Sequence, residues 1–220
     1  MSFQRARSED QIQDRIQEIV NAASIIYDSV GYEGLSFSTI SEYTKFTRPN
    51  IYKYFKTKEE ILLLIMIKDF KSWISRLSKS FKINKLYSIY KIGEIWTDTL
   101  IEHERLIELY AILFTTIEKN VSVEALAEFE KECMVINSTI LDLVSQLFPN
   151  ASNDSLMNFM YSVFTLAFGL YPMCKLSDLQ LEAINLAGSN YIAPDFKKTY
   201  MASLYQLMYC LEHSIEIKKD

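Results

Sequence analysis

The sequence predicts an all-α protein: an N-terminal three-helix domain carrying a helix-turn-helix, joined by a long fourth helix to a larger C-terminal helical bundle, about nine or ten helices in total. Three observations carry this. Gly and Pro number only 5 and 4 among 220 residues, so few positions interrupt helices. Apolar residues recur at three- and four-residue spacing along most of the chain. Hydrophobic residues make up 49% of the sequence, enough for a sizeable core.

The elements follow in order. Ser8 with Gln11 has capping-box spacing and opens helix one, which carries Ile12, Ile16, Ile19, Ala23, Ile26 and Val30 on one face and stops at Gly31. Ser36 caps a short helix to Tyr43. Thr47 caps a third over 47–53 with Pro49 in its first turn, where a missing N–H costs nothing. Thr57 and Glu60 form a further capping box that starts the long fourth helix through Ile61, Leu64, Ile65, Phe70, Trp73 and Leu77. Beyond residue 80 the pattern predicts helices over 85–102, 104–119, 123–147, 154–171, 178–188 and 195–215. Breaks fall at 120–122, Pro149-Asn150, Pro172 and 188–194, and Ser177 with Gln180 caps the short helix. The domain boundary is placed between 1–56 and 57–220.

Composition sets aside several classes. Cys133, Cys174 and Cys210 are odd in number, widely spaced and in apolar settings, so they read as small buried hydrophobes rather than a disulfide framework. His103 and His213 cannot supply a metal cluster and read as helix-surface or helix-end residues, so no metal or cofactor is expected. The N-terminus lacks the apolar core of a signal peptide. Residues 155–174 carry no charge over nearly a membrane span's length, but Ser155, Asn158, Ser162, Thr165 and Pro172 interrupt the stretch. A helix buried in a soluble bundle or subunit interface fits better, and a cytoplasmic protein is expected.

The net charge is −5 but unevenly spread. Residues 45–58 hold Lys45, Arg48, Lys53, Lys56 and Lys58 with no acid, leaving 18 basic and 28 acidic residues elsewhere. One short basic element sits on an acidic body, and distribution matters more than the average for nucleic-acid binding. That element coincides with the helix-turn-helix. Its third helix presents Thr47, Arg48 and Asn50 toward a major groove, where Arg pairs with guanine and Asn with adenine edges. Ser36, Lys53, Tyr52, Tyr54 and Lys58 join the candidate DNA-binding set, with Tyr52, Tyr54 and Lys58 placed to hold phosphates. Arg5 and Arg7 lie where a tail reaches a minor groove or trails in solvent. No catalytic motif emerges: there is no Gly-rich phosphate loop, no Glu-x-x-His pair and no nucleophile motif. Glu59-Glu60 and Glu130/Glu132 read as helix surface. A helical adaptor without DNA binding and a small helical enzyme stay open as alternatives.

The stretch from Ile16 to Ile61 resembles the TetR/AcrR family of transcriptional regulators. The matching residues are Ala22-Ala23, Tyr27, Gly31-Tyr32-Glu33, Ser36, Ile40, Thr47, Ile51-Tyr52-Lys53-Tyr54-Phe55 and Lys56-Thr57-Lys58-Glu59-Glu60-Ile61. The Tyr-x-Tyr-Phe-x-x-Lys-Glu ending is specific to that family and covers about a fifth of the chain with the residues around it. The family usually has Gly where this sequence has Lys45 and a small residue where it has Pro49. Lys45 therefore either adopts a left-handed conformation or the turn has another shape.

The resemblance implies a homodimeric regulator, most often a repressor, that binds a palindromic operator and is released by a small molecule in its C-terminal domain. Two features support a dimer independently. Helix 154–171 is rich in Met and Phe (Leu156, Met157, Phe159, Met160, Phe164, Phe168), and the last helix repeats Phe196, Tyr200, Leu204, Leu207, Leu211 and Ile215 at heptad-like spacing. The same residues also fit a monomer core. Candidate effector-binding residues are Trp96, Leu100, Tyr110, Phe114, Met134, Asn137, Phe164 and Phe168, aromatic faces with few polar handles. The scarcity of clustered Lys or Arg there favours an apolar or amphipathic effector.

Overall fold

The structure, a computed structural model, describes residues 2–82 and 85–215, with side chains from Glu9 onward. Helix one opens at Ser2 rather than at the expected Ser8, and the side chains of Arg5, Arg7 and Ser8 lie outside that description. Among the described residues the fold is all-helical, with ten α-helices and short π and 3-10 turns. They are α1 (Ser2–Gly34), α2 (Phe37–Tyr43), α3 (Arg48–Ile51), α4 (Lys58–Ser80), α5 (Ile89–Ile101), α6 (Glu104–Ala111), α7 (Val123–Leu147), α8 (Asn153–Cys174), α9 (Asp178–Leu186) and α10 (Phe196–Glu212).

The chain divides into two compact units, 1–68 with 112–133, and 69–111 with 134–220. Residues 57–68 and 112–133 thus fall in the first unit. In that unit α1 buries Ile19, Val20, Ala23, Ile26 and Tyr27, while Ile12 and Val30 of the expected apolar stripe are exposed. Gly31 departs from helical geometry at φ 66°, ψ −168°, a conformation open essentially to glycine, and the chain turns there into a final short coil of helix. In the second unit α8 packs against α6 and α10, and α10 also lies against α5.

Four expectations need correction. The helix expected over 104–119 is interrupted: α6 stops at Ala111 and a π-turn, Leu113–Ile117, follows, closed by the Ile117 N–H on the Ile112 carbonyl at 3.1 Å. Ile112, Phe114, Thr115, Thr116 and Ile117 are β-branched or aromatic and weak helix formers, the signal that spacing alone overlooks. Pro172 does not end α8. It forfeits one backbone bond near the last turn, and the Lys175 N–H still reaches the Tyr171 carbonyl at 3.1 Å.

The last-helix stripe is spent inside the subunit: Tyr200, Leu204 and Leu211 are buried with Met208, and Leu156, Phe159, Met160 and Phe168 of α8 join the same core. The exposed positions of α8 include Met157, Tyr161, Thr165, Gly169 and Met173, a row at four-residue spacing. α8 is long and apolar enough by length and composition to cross a membrane, yet about half of that stretch is covered by protein. Among the cysteines, Cys210 is exposed and Cys133 and Cys174 are half-buried. Burial, reinforced by Glu130, Glu118 and Glu132, pushes the Cys133 thiol up to about 12, which keeps it protonated and unreactive.

Candidate nucleic-acid interface

The interface is built from caps. Ser36 accepts from the Thr39 N–H at 3.1 Å while the Ser36 N–H donates to Thr39 Oγ1 at 2.9 Å, a reciprocal box that starts α2. Phe37 and Ile40 face inward from α2, and Ile51 and Phe55 meet the same core. The turn after α2 is closed by a side chain: Thr44 Oγ1 donates to the Ile40 carbonyl at 3.0 Å and accepts from the Phe46 N–H at 3.3 Å. Among the described residues only Ser214 combines a side chain with positive φ. Lys45 is therefore not left-handed, and the turn without Gly takes a different shape, held by the threonine hydroxyl.

Thr47 is the N-cap of α3 with extended backbone, its carbonyl accepting from the Asn50 and Ile51 N–H groups at 2.8 and 3.1 Å. Its hydroxyl makes no capping bond. Thr47, Arg48 and Pro49 are exposed and Asn50 is half-buried, so the start of α3 shows its side chains to solvent. Lys45, Arg48 and Lys53 make no ion pair among the described residues. Their charges stand unneutralised on one short stretch, and desolvating an exposed, unpaired cation against phosphate costs less than breaking an existing pair. Tyr52 is exposed and rests edge-on against Phe37 at 4.7 Å between ring centres. Tyr54 is held from behind, its hydroxyl accepting from Arg15 Nη1 at 3.1 Å. Lys58 donates to the Tyr32 carbonyl at 2.6 Å and lies 3.8 Å over the Tyr32 ring. Its ammonium is thus anchored within the unit, with further N–H groups to spare.

The carboxylates Glu59 and Glu60, expected on the helix surface, are both buried. Each is fully used. The Tyr32 hydroxyl donates to Glu59 Oε1 at 2.6 Å, and burial together with that carboxylate pushes the phenol well above its ordinary range. Glu60 Oε2 accepts from the Lys56 N–H at 2.7 Å, just past the helix-turn-helix, and Oε1 accepts from the Ser122 hydroxyl at 2.6 Å and its N–H at 3.3 Å. The Thr57 half of the capping box is present, with the Glu60 N–H on Thr57 Oγ1 at 3.3 Å, but the Glu60 side chain closes on Lys56 rather than on Thr57. Ser122 lies 62 residues downstream, so no local pattern announces it. The Lys56–Glu124 approach beside it, 4.0 Å between exposed groups, adds little.

Burial alone raises the Glu60 carboxyl, but the bonds from Ser122 and Lys56 outweigh it, and the group sits below the ordinary glutamate range. Its contribution to stability is therefore complete above the unfolded-state value of about 4.3 and is lost as pH falls through the lower folded value. Thermal melts of wild type and Glu60→Gln between pH 3 and 7 are expected to differ above about pH 4.5 and to converge below it. A constant gap down to pH 3 would show that Glu60 is not the group responsible.

Of the expected effector residues, the second unit brings five together. Trp96 and Leu100 are buried, and Tyr110 stacks on Phe168 at 3.7 Å between centres, with Phe164 parallel to Phe168 at 5.8 Å. Phe70 and Trp73 meet Phe164 edge-on. Phe114, Met134 and Asn137 are exposed. A groove of about 730 Å³ opens on the α5 and α10 side, lined by residues that include Tyr90, Met201, Ala202 and Tyr205.

Two family models match the chain. Residues 19–65 match the bacterial regulatory proteins of the tetR family, and residues 68–212 match the tetracyclin repressor-like C-terminal domain. Among solved structures, the fold is similar to a transcriptional regulator from Rhodococcus sp. Rha1, with TM-score 0.55 and 13% identity over 93% of this chain and 99% of that one. It is also similar to a putative TetR-family transcriptional regulator from Syntrophomonas wolfei str. Goettingen, with TM-score 0.52 and 16% identity over 94% and 99%. No curated protein is similar enough to count as a match. The second family model alone spans well over half of the sequence, and the first coincides with the helix-turn-helix and its buried carboxylates: the chain belongs to the TetR family of bacterial transcriptional regulators.

Proposed function

We propose that the protein is a cytoplasmic repressor that binds a palindromic operator as a homodimer and is released by an apolar or amphipathic small molecule held by its second unit. The observation that carries the DNA-binding part is the uncompensated positive charge of Lys45, Arg48 and Lys53 on the helix-turn-helix. In this reading Arg48 and Asn50 touch base edges. Thr47 and Pro49 border them, Ser36, Tyr52, Lys53 and Tyr54 contact the backbone, and the anchored Lys58 adds a phosphate contact through its remaining N–H groups. The dimer forms through the exposed rows of α8 and α10. Tyr110, Phe164 and Phe168, with Trp96 and Leu100 beneath, are the rings that part around an effector.

Binding to DNA from upstream of the protein's own reading frame, measured at 50 and 200 mM salt, tests the proposal. A dimer making about six or more phosphate contacts loses on the order of 10³-fold in affinity across that range. Arg48→Ala and Asn50→Ala are each expected to cost about 1–3 kcal/mol on the preferred sequence and far less on random DNA. Binding that ignores both salt and these substitutions would favour an adaptor that does not read DNA.

A further inference from the structure

Helix α9 buries none of its residues. It is nonetheless a defined helix: the Ser177 N–H donates to Gln180 Oε1 at 2.8 Å and the Gln180 N–H to Ser177 Oγ at 3.3 Å. A nine-residue helix is marginal by itself and is normally held by an apolar face packed on something. That face exists. Leu179, Ala183 and Leu186 recur at helical spacing, and Leu179 and Leu186 are 76% and 82% exposed. Asp178 and Glu182 run beside them one turn apart, so the helix is an apolar stripe with an acidic edge.

The same unit carries the converse surface. The groove of about 730 Å³ has an apolar floor of Tyr90 from α5 and Met201, Ala202 and Tyr205 from α10. Lys198, one turn before Ala202, stands on its rim and makes no ion pair among the described residues; Asp195 beside it caps α10 by accepting from the Lys198 backbone N–H at 2.7 Å, and Lys197 is taken by Asp98 at 2.7 Å. A small-molecule pocket encloses most of its ligand, whereas this groove is open to solvent, as a helix seat is. No residue of the chain's own α9 lines it.

We infer that α9 is an exchanged arm, whose Leu179/Ala183/Leu186 stripe seats in the α5/α10 groove of a second copy with Asp178 and Glu182 against Lys198. The inference rests on the homodimer reading above and adds to it a reciprocal contact, made twice across a two-fold axis. The acid edge meeting the Lys198 ammonium fixes which way the arm lies.

The experiment uses full-length chains with Cys133, Cys174 and Cys210 changed to Ser, their folding and assembly checked by circular dichroism and sedimentation. Copies with one tag carry Leu179→Cys, Ala183→Cys or Leu186→Cys, and copies with a second tag carry Ala202→Cys. Mild oxidation of mixed dimers is expected to give a covalent product containing both tags from at least one arm position. Lys198→Glu is expected to weaken dimerisation by about tenfold, and adding Asp178→Lys with Glu182→Lys to restore it. A wild type that is dimeric but gives no mixed product from any pair, and whose dimer ignores Lys198→Glu, overturns the arm and leaves the dimer standing. A covalent link formed only within one chain overturns it as well. A wild type that sediments as a monomer at every concentration overturns the dimer itself.

Discussion

Trp96→Ala is expected to destabilise the second unit by about 3–5 kcal/mol, the cost of removing a fully buried large ring and leaving a cavity. The ring is 1% exposed and touches three other helices at once. It meets Trp73 of α4 edge-on at 5.4 Å and Phe159 of α8 at 5.9 Å. Its Nε1–H donates to the buried Tyr200 hydroxyl of α10 at 3.1 Å, which in turn donates to the Val163 carbonyl of α8 at 3.3 Å. Trp73 closes the same group, donating to Thr99 Oγ1 at 3.3 Å. Trp96→Phe keeps most of the packing and loses the N–H, so its cost is expected near 1 kcal/mol. For a chain of this size the larger change lowers the melting temperature by on the order of 10 °C. Equal losses for the two variants would mean that the hydrogen bond rather than the ring organises this core.

Glu60→Ala is expected to cost about 3 kcal/mol, because a carboxylate that satisfies three donors is removed and two backbone N–H groups are left without it. The loss falls on the first unit. Amide exchange at Lys56 and Ser122 is expected to quicken by on the order of 10²-fold, while amides in the second unit are unchanged. Exchange at Ser122 that matched wild type would show that the segment around it is held by other contacts. Operator affinity is expected to fall with stability even though Glu60 touches no DNA, since the Lys56 N–H it holds ends the helix-turn-helix.

These two sites differ in how far the sequence discloses them. Ser36 and Ser177 announce their helices by local capping chemistry that needs nothing from the rest of the chain, and the structure contains both boxes. The break expected at 120–122 precedes the start of α7, and at Gly31, where helix one was expected to stop, the helix kinks and runs on to Gly34. The family resemblance was legible in the Tyr52–Glu60 ending, yet the use of Glu59 and Glu60 was not. Two acids in a first helical turn look solvent-exposed until Tyr32 and Ser122, 27 residues before one and 62 after the other, are folded against them. Periodicity likewise identified the apolar stripe of α10 without saying whether its own subunit or another covers it. The core took Tyr200, Leu204 and Leu211, and only positions such as Tyr205 and Tyr209 were left outward. Phe114 and Met134 are exposed for a related reason: a large apolar side chain is no proof of burial, and Phe114 lies on a π-turn that spacing alone does not disclose.

The discontinuity of the first unit has a consequence for how the protein is made. When residue 68 leaves the ribosome, Glu60 has its Lys56 N–H but not yet Ser122, because that partner belongs to residues 112–133 of the same unit. Another 65 residues, 69 to 133, must be synthesised first. At roughly 5–20 residues per second this is a wait of about 3–13 s, long compared with the formation of any single helix. The DNA-reading head therefore emerges first but is completed late, after the segment that begins the second unit has already appeared.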